Sequence, residues 1–273
     1  MDFGAGERGG QAATTVLRVV AAPNSRSAVA RGLRLWTTTD GAVRWWVEAC
    51  LMSHLRLLVA AGALGALAAR PALRNWGATS DDRTRILPGD GLVPGEGGIS
   101  TMAVKICAPA GAVWPWLAQM GTDRAGWYSF DRLDNGGRRS AQELDPRWTH
   151  VREGDRLATM PGRSWFDVAH AEPDRSLVLR ASLDLCGRPF DPHAGRPRGF
   201  VDARWEFFLD PQPEGATRLI VRSGAAGGPR GPSDIMNYLF WQPAHVVMQL
   251  RQLRQLRLRC EHHRANGDAP ASE

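Results

Sequence analysis

Between Gln119 and Asn135 the chain places Arg124, Trp127, Tyr128, Asp131 and Asn135 within a span of seventeen residues. Asp123, Asp134 and Arg132 add two carboxylates and a second guanidinium. Two chemistries fit these residue types. A buried carboxyl or phenol held against a substrate moves protons. Neutral amides and hydroxyls set among aromatic rings instead orient a small molecule in an apolar cavity. A carboxylate beside arginine has a depressed pKa and is a weak general base at neutrality. Asp123, Asp131 and Asp134 are therefore expected to pair with arginine and lock the segment, with Arg124 and Asp131 also placed at the cavity edge. Gln119, Tyr128 and Asn135 are the expected ligand contacts, because neutral groups orient a ligand without a large desolvation cost. A helix end with every polar group satisfied locally accounts for the composition equally well.

The elements around this segment are readable from spacing. Val113, Leu117 and Met120 fall at i, i+4 and i+7, and Gly121 follows as a helix stop. Pro109 suits the first helical position, and Pro115 is expected to bend the helix and part Trp114 from Trp116. Residues 101–107 alternate as a first strand. Five more β-like runs follow at 155–160, 165–172, 177–183, 200–209 and 217–223, parted by Pro, Gly and Asp turns. Last comes an amphipathic helix over 243–263, with Val246, Leu250, Leu253, Leu256 and Cys260 on one side. Trp205 and Arg222 lie on the strands and line the cavity if they face inward. Met236, Phe240, Trp241 and Met248 supply either apolar cavity wall or plain core. Residues 89–98 hold five glycines, with no strand before them and no Lys-Ser/Thr after, so a loop or lid is expected rather than a phosphate cradle.

The ordered segments NWGAT, LPGD, VWPWLAQMG, DRAGWYSFDRLDN and VREGDRL resemble the START-like (SRPBCC) superfamily of polyketide cyclases, dehydratases and lipid-transport proteins, and within it a poorly characterised bacterial branch. The likeness runs over about residues 75–263. It implies an α+β helix-grip fold: a curved antiparallel sheet wrapped around a long C-terminal helix, with a cavity between them. The superfamily fold hosts carriers, sensors and enzymes alike.

The 34 cations include a single lysine, Lys105. Residues 1–76 hold nine arginines against four acids, whereas residues 77–231 hold twenty cations against twenty acids. A nucleic-acid binder carries its basic face on the folded body, and a neutral body excludes that class. Cys50, Cys107, Cys186 and Cys260 form no CxxC pair, which reads as reduced thiols in a cytoplasmic protein, Cys107 in a buried strand and Cys260 on the inner helix face. No HExxH or Cys/His spacing marks a metal, Gly162-Arg163-Ser164-Trp165 misses the hydrolase elbow, and no cofactor motif is present. Residues 1–51 read as a poorly ordered extension and 265–273 as a disordered tail. Residues 52–74 read as an apolar helix. The thirteen-residue apolar run 57–69 is short of the roughly 20 that a span needs, so a buried or interfacial helix and a membrane anchor through 52–70 both stay open. A start at Met52 would make the run resemble a signal peptide.

The expected function is binding of a hydrophobic lipid- or polyketide-like molecule for carriage or sensing. The alternative is a cyclase- or dehydratase-like enzyme, with Tyr128, Arg124 and Asp131 as its first candidates.

Overall fold

The computed structural model describes residues 68–160 and 164–267, together with positions 52, 54, 61, 62 and 65. By internal contacts the chain divides into two units, Met1–Ala66 and Leu67–Glu273, and all that follows concerns the second. The expectations for 1–51, for Cys50, for most of the apolar run and for 268–273 lie outside the described residues. Among those described, no helix is long and apolar enough to cross a membrane.

Six strands form one antiparallel sheet: β1 (Gly97–Ile106), β2 (Arg156–Met160), β3 (Ser164–Glu172), β4 (Ser176–Asp184), β5 (Phe200–Gln212) and β6 (Ala216–Gly228). Their spatial order is β1-β6-β5-β4-β3-β2. The helices are α1 (Ser80–Thr84), α2 (Ala110–Ala118), α3 (Asp131–Asp134), α4 (Pro232–Met236) and α5 (Gln242–Gly267), with a π-helical turn at Asn237–Trp241 joining the last two. The sheet curves around α5, so the chain has an α+β helix-grip fold. Pro109 is the N-cap of α2 rather than its first helical residue. Trp114 and Trp116, on either side of Pro115, are both buried, so no space opens at that proline.

Period-2 alternation splits the sheet into two unlike faces. Leu179, Phe207, Leu209, Leu219, Val221 and Met102 face α2 and α5, and all are nearly inaccessible. Leu253, Leu256 and Cys260 of α5 are fully buried against them, as their spacing predicts. Each such side chain contributes roughly 1.5–3 kcal/mol of burial.

The opposite face is polar yet also covered. Asp202 takes two hydrogen bonds from Arg180, at 2.9 and 2.8 Å, and one from Arg196 at 2.8 Å. Arg204 bridges Glu96 and Glu206, each at 2.8 Å. The cover is the glycine-rich segment after α1. The Gly89 N–H donates to Glu206 Oε1 at 3.0 Å, and a Cβ there would stand 2.8 Å from Glu206 Oε2 and 2.9 Å from a Val178 methyl. Only glycine lets the backbone lie that close. The expected lid is thus a strap on the outer face. Burial raises the Glu206 carboxyl, partly opposed by the Gly89 N–H and Arg204. Burial would also raise Asp82, but its bonds from Arg218 and Thr79 hold it at about 2.

Candidate functional site

The segment after α2 is a closed knot of local bonds. Gly121 and Gly126 pair across a tight loop, 2.8 Å from the Gly126 N–H to the Gly121 carbonyl. A Cβ on Gly126 would fall 2.6 Å from Ser140 Oγ. Gln119, fully buried, donates to the Tyr128 hydroxyl at 2.8 Å and accepts from the Asp145 N–H at 3.0 Å. Tyr128 is 1% exposed, with its backbone at φ 57, Trp116 edge-on at 6.0 Å and the Arg259 guanidinium 4.9 Å from its ring. Burial pushes its phenol well above the usual tyrosine range. The space beside Tyr128 is therefore filled by side chains.

Asp123 pairs with Arg124 as expected, whereas Asp131 and Asp134 form no ion pair among the described residues. Asp131 accepts from the Ser140 N–H at 3.1 Å and from its hydroxyl at 2.6 Å. Arg124 lies 3.9 Å from Asp123, stacks over Trp148 at 5.0 Å and donates to the Ala118 carbonyl at 3.2 Å. Asn135 is buried and donates to the Arg138 carbonyl at 2.6 Å. These contacts are made within the loop or to its neighbours. Cys107 is exposed, one residue beyond β1, where its N–H donates to Glu261 at 3.0 Å.

Trp127 leads elsewhere. Its indole N–H donates to the Ala158 carbonyl at 3.2 Å, and its ring stacks on Trp205 with centroids 5.4 Å apart and planes 26° from parallel. Trp205 does face inward. Phe166 stands 5.6 Å from both tryptophans, and His245 meets Trp205 edge-on at 5.8 Å. Trp127 is buried, but Phe166, Trp205 and His245 keep part of their surface. So do the hydroxyl residues flanking them, Thr159 and Ser164 on one side and Ser223 on the other. Thr159 and Ser164 bond each other through their hydroxyls. Ser223 sits directly opposite Trp205 in the β5–β6 register, and its Oγ lies 3.1 Å from His245 Nε2. Together they form a cluster of partly exposed aromatic and hydroxyl side chains between the inner sheet face and the start of α5.

Two buried amides wire this cluster to the knot. Trp205 Nε1 donates to Gln249 at 2.8 Å, Gln249 donates to Gln252 at 2.8 Å, and Gln252 donates to the Trp127 carbonyl at 2.9 Å. Burial pushes the His245 imidazole down to about 4, so it is neutral at pH 7. Phe166, Ser223, His245, Gln249 and Gln252 were not candidates from sequence. The only signal for the helix residues is their i, i+4 and i+7 spacing on α5.

Four other candidates lie outside this cluster. Arg222 points to the outer face, where it donates to Asp90 at 2.6 Å and to the Asp82 carbonyl at 2.6 Å. The strand period forces this, because Trp205 pairs with Ser223 and so Arg222 must face the other way. Met236 and Trp241 are 56% and 59% exposed on the helical run leading into α5. Met248 is half-buried, and its carbonyl accepts from the Ser129 hydroxyl at 3.1 Å.

No protein-family model matches the chain, and no curated protein does. Among solved structures, it is similar to protein NE0264 from Nitrosomonas europaea, at 16% identity over 61% of this chain and 96% of that one, TM-score 0.37. It is also similar to CalU16 from Micromonospora echinospora, at 16% identity over 61% of this chain and 86% of that one, TM-score 0.30. A third likeness is to DynU16, a protein in the dynemicin biosynthetic locus, at 17% identity over 58% of this chain and 46% of that one, TM-score 0.34. Likenesses this distant say nothing of chemistry, and the helix-grip fold stands on the strand order and the gripped α5.

Proposed function

We infer that the domain binds a hydrophobic, ring-bearing small molecule in the groove between the inner sheet face and α5, for carriage or sensing. The observation that carries this is the partly exposed strip Phe166–Trp205–His245, with ring centroids 5.6 and 5.8 Å apart. Large aromatic rings left partly uncovered beside a few polar groups match the lining of a small-molecule site. The groove's polar groups are neutral hydroxyls, amides and one neutral imidazole, which favours binding over a cyclase- or dehydratase-like proton transfer. Native mass spectrometry of the purified full-length protein tests it directly. A recurrent apolar adduct that is lost in Trp205→Ala supports the groove. An adduct kept unchanged in that variant places the ligand elsewhere and ends the proposal.

A second reading, contact with a membrane surface, is favoured by a different observation. Ile235, Met236, Tyr238, Leu239, Phe240 and Trp241 are all more than two-fifths exposed, and the Arg70 guanidinium stands 3.6 Å from the Tyr238 ring centroid. Aromatic side chains beside arginine suit a bilayer interface. Co-flotation of the full chain with anionic phosphatidylglycerol vesicles checks it. Recovery at the vesicle band that falls in a Phe240→Ser, Trp241→Ser double variant supports it, and protein left wholly in the dense fraction refutes it.

A further inference from the structure

Resting on the groove reading, we propose that Ser223 and His245 form its polar end and select planar aromatic ligands that carry an oxygen on the ring edge, a hydroxyl or a carbonyl. Ser223 Oγ lies 3.1 Å from His245 Nε2, and Ser223 stands opposite Trp205 in the sheet register. The imidazole is edge-on to the same indole at 5.8 Å. A ring lying along Phe166 and Trp205 therefore meets this pair at its rim.

A neutral imidazole has one donor and one acceptor nitrogen, and a serine hydroxyl donates one bond and accepts two. With Nε2 unprotonated, it accepts a hydrogen bond from the serine O–H and leaves Oγ lone pairs for a ligand hydroxyl. With Nε2 protonated, it donates to Oγ and the serine O–H is free for a ligand carbonyl. The pair thus accepts either polarity after only a change of tautomer and a hydroxyl rotation. An apolar ring edge placed here would cover both groups without bonding them, and that lost bonding is the source of selectivity. Ser and His at hydrogen-bond distance also have the spacing of a nucleophile and its base. An imidazole kept neutral by burial is however a weak base, so the pair offers recognition rather than acyl transfer.

The test uses full-length protein and two probes of similar size, 1-naphthol and 1-methylnaphthalene, titrated by quenching of tryptophan fluorescence. Wild type is expected to hold 1-naphthol about tenfold more tightly, the worth of one good hydrogen bond. Ser223→Ala should erase that preference and leave 1-methylnaphthalene within about twofold, while Ser223→Thr, which keeps the hydroxyl, restores it. His245→Phe should reduce the preference in the same direction. Trp205→Ala should weaken both probes alike. A preference that survives in Ser223→Ala, or equal loss of both probes there, overturns the recognition role while the groove stands on the Trp205→Ala result. Failure of wild type to bind either probe, or indifference of both to Trp205→Ala, overturns the groove and this inference with it.

Discussion

Trp127 and Trp205 stack 5.4 Å apart although one follows the Gly121–Gly126 loop and the other lies in the middle of β5. Two buried glutamines of α5 close the circuit between them, from the Trp205 indole through Gln249 and Gln252 to the Trp127 carbonyl. The loop, the sheet and the gripped helix are thereby held in one polar chain inside an apolar core. That chain links the two stacked indoles to α5.

Gln249→Leu keeps much of the volume but cuts the chain at its centre. It leaves the Trp205 indole N–H and the Gln252 carbonyl oxygen without their partners, and both glutamines are at most 3% exposed. Each orphaned group costs roughly 1–3 kcal/mol. Urea unfolding should show a loss of about 2–4 kcal/mol. An unchanged midpoint would mean the chain contributes nothing to stability.

Gly89→Ala tests the strap on the outer face. The new methyl would meet Glu206, Val178 and Arg204 at 2.8–3.0 Å, all on buried strands. The loop must lift, and its lifting uncovers the charges on Arg204 and Glu206. A loss of about 2 kcal/mol or more is expected, together with faster amide exchange in residues 87–96. Gly91→Ala is no control, since its φ of 83 is itself strained for a side chain. Asp81→Ala, at an exposed carboxylate of the preceding α1, serves better.

Tyr128→Phe separates the buried knot from the groove. The lost hydroxyl is Gln119's partner at 2.8 Å, so stability should fall by about 1 kcal/mol. Affinity for 1-naphthol should not change, because Tyr128 is shut inside the core. A tenfold loss of affinity would return Tyr128 to the binding surface.

The His245 imidazole gives the protein a pH dependence of predictable sign. Its pKa is about 4 in the fold against 6.5 for the free group. The unfolded chain thus binds more protons between those values, and stability falls as pH drops from 6.5 toward 4, by up to about 3 kcal/mol. Above pH 6.5 the contribution is complete. Glu206 and Asp134 act oppositely, since their raised carboxyls lose stability as pH rises. The difference between wild type and His245→Gln isolates the imidazole, and it should shift in the variant's favour only below about 6.5. Asp82, held near 2, gives up its contribution at lower pH still, as pH falls below 3.8.

Local periodicity marked the order of one strand, a helix, five strands and a last long helix, while the helix grip itself was what the family resemblance implied. The α5 stripe of Val246, Leu253, Leu256 and Cys260 is buried as its spacing predicts, with Leu250 partly covered beside it. Each strand run found from turn residues lies in the sheet. The strand ends were harder: 224–228 is all glycine and alanine, without β-branched residues, and joins β6 by pairing with β5 and, at Ala225, with Gly97 of β1. The polar outer face had no local signature, because burying Arg204, Glu206 and Arg222 depends on a strap from about 120 residues earlier. Composition drew attention to the knot at 119–135, whose hydrogen bonds run mostly at short range within the loop or to its neighbours. The proposed groove depends on Phe166, Trp205, Ser223 and His245, which only the sheet register and the gripped helix bring together. Strand alternation tells which residues share a face, but only packing against α5 decides which of them stay uncovered.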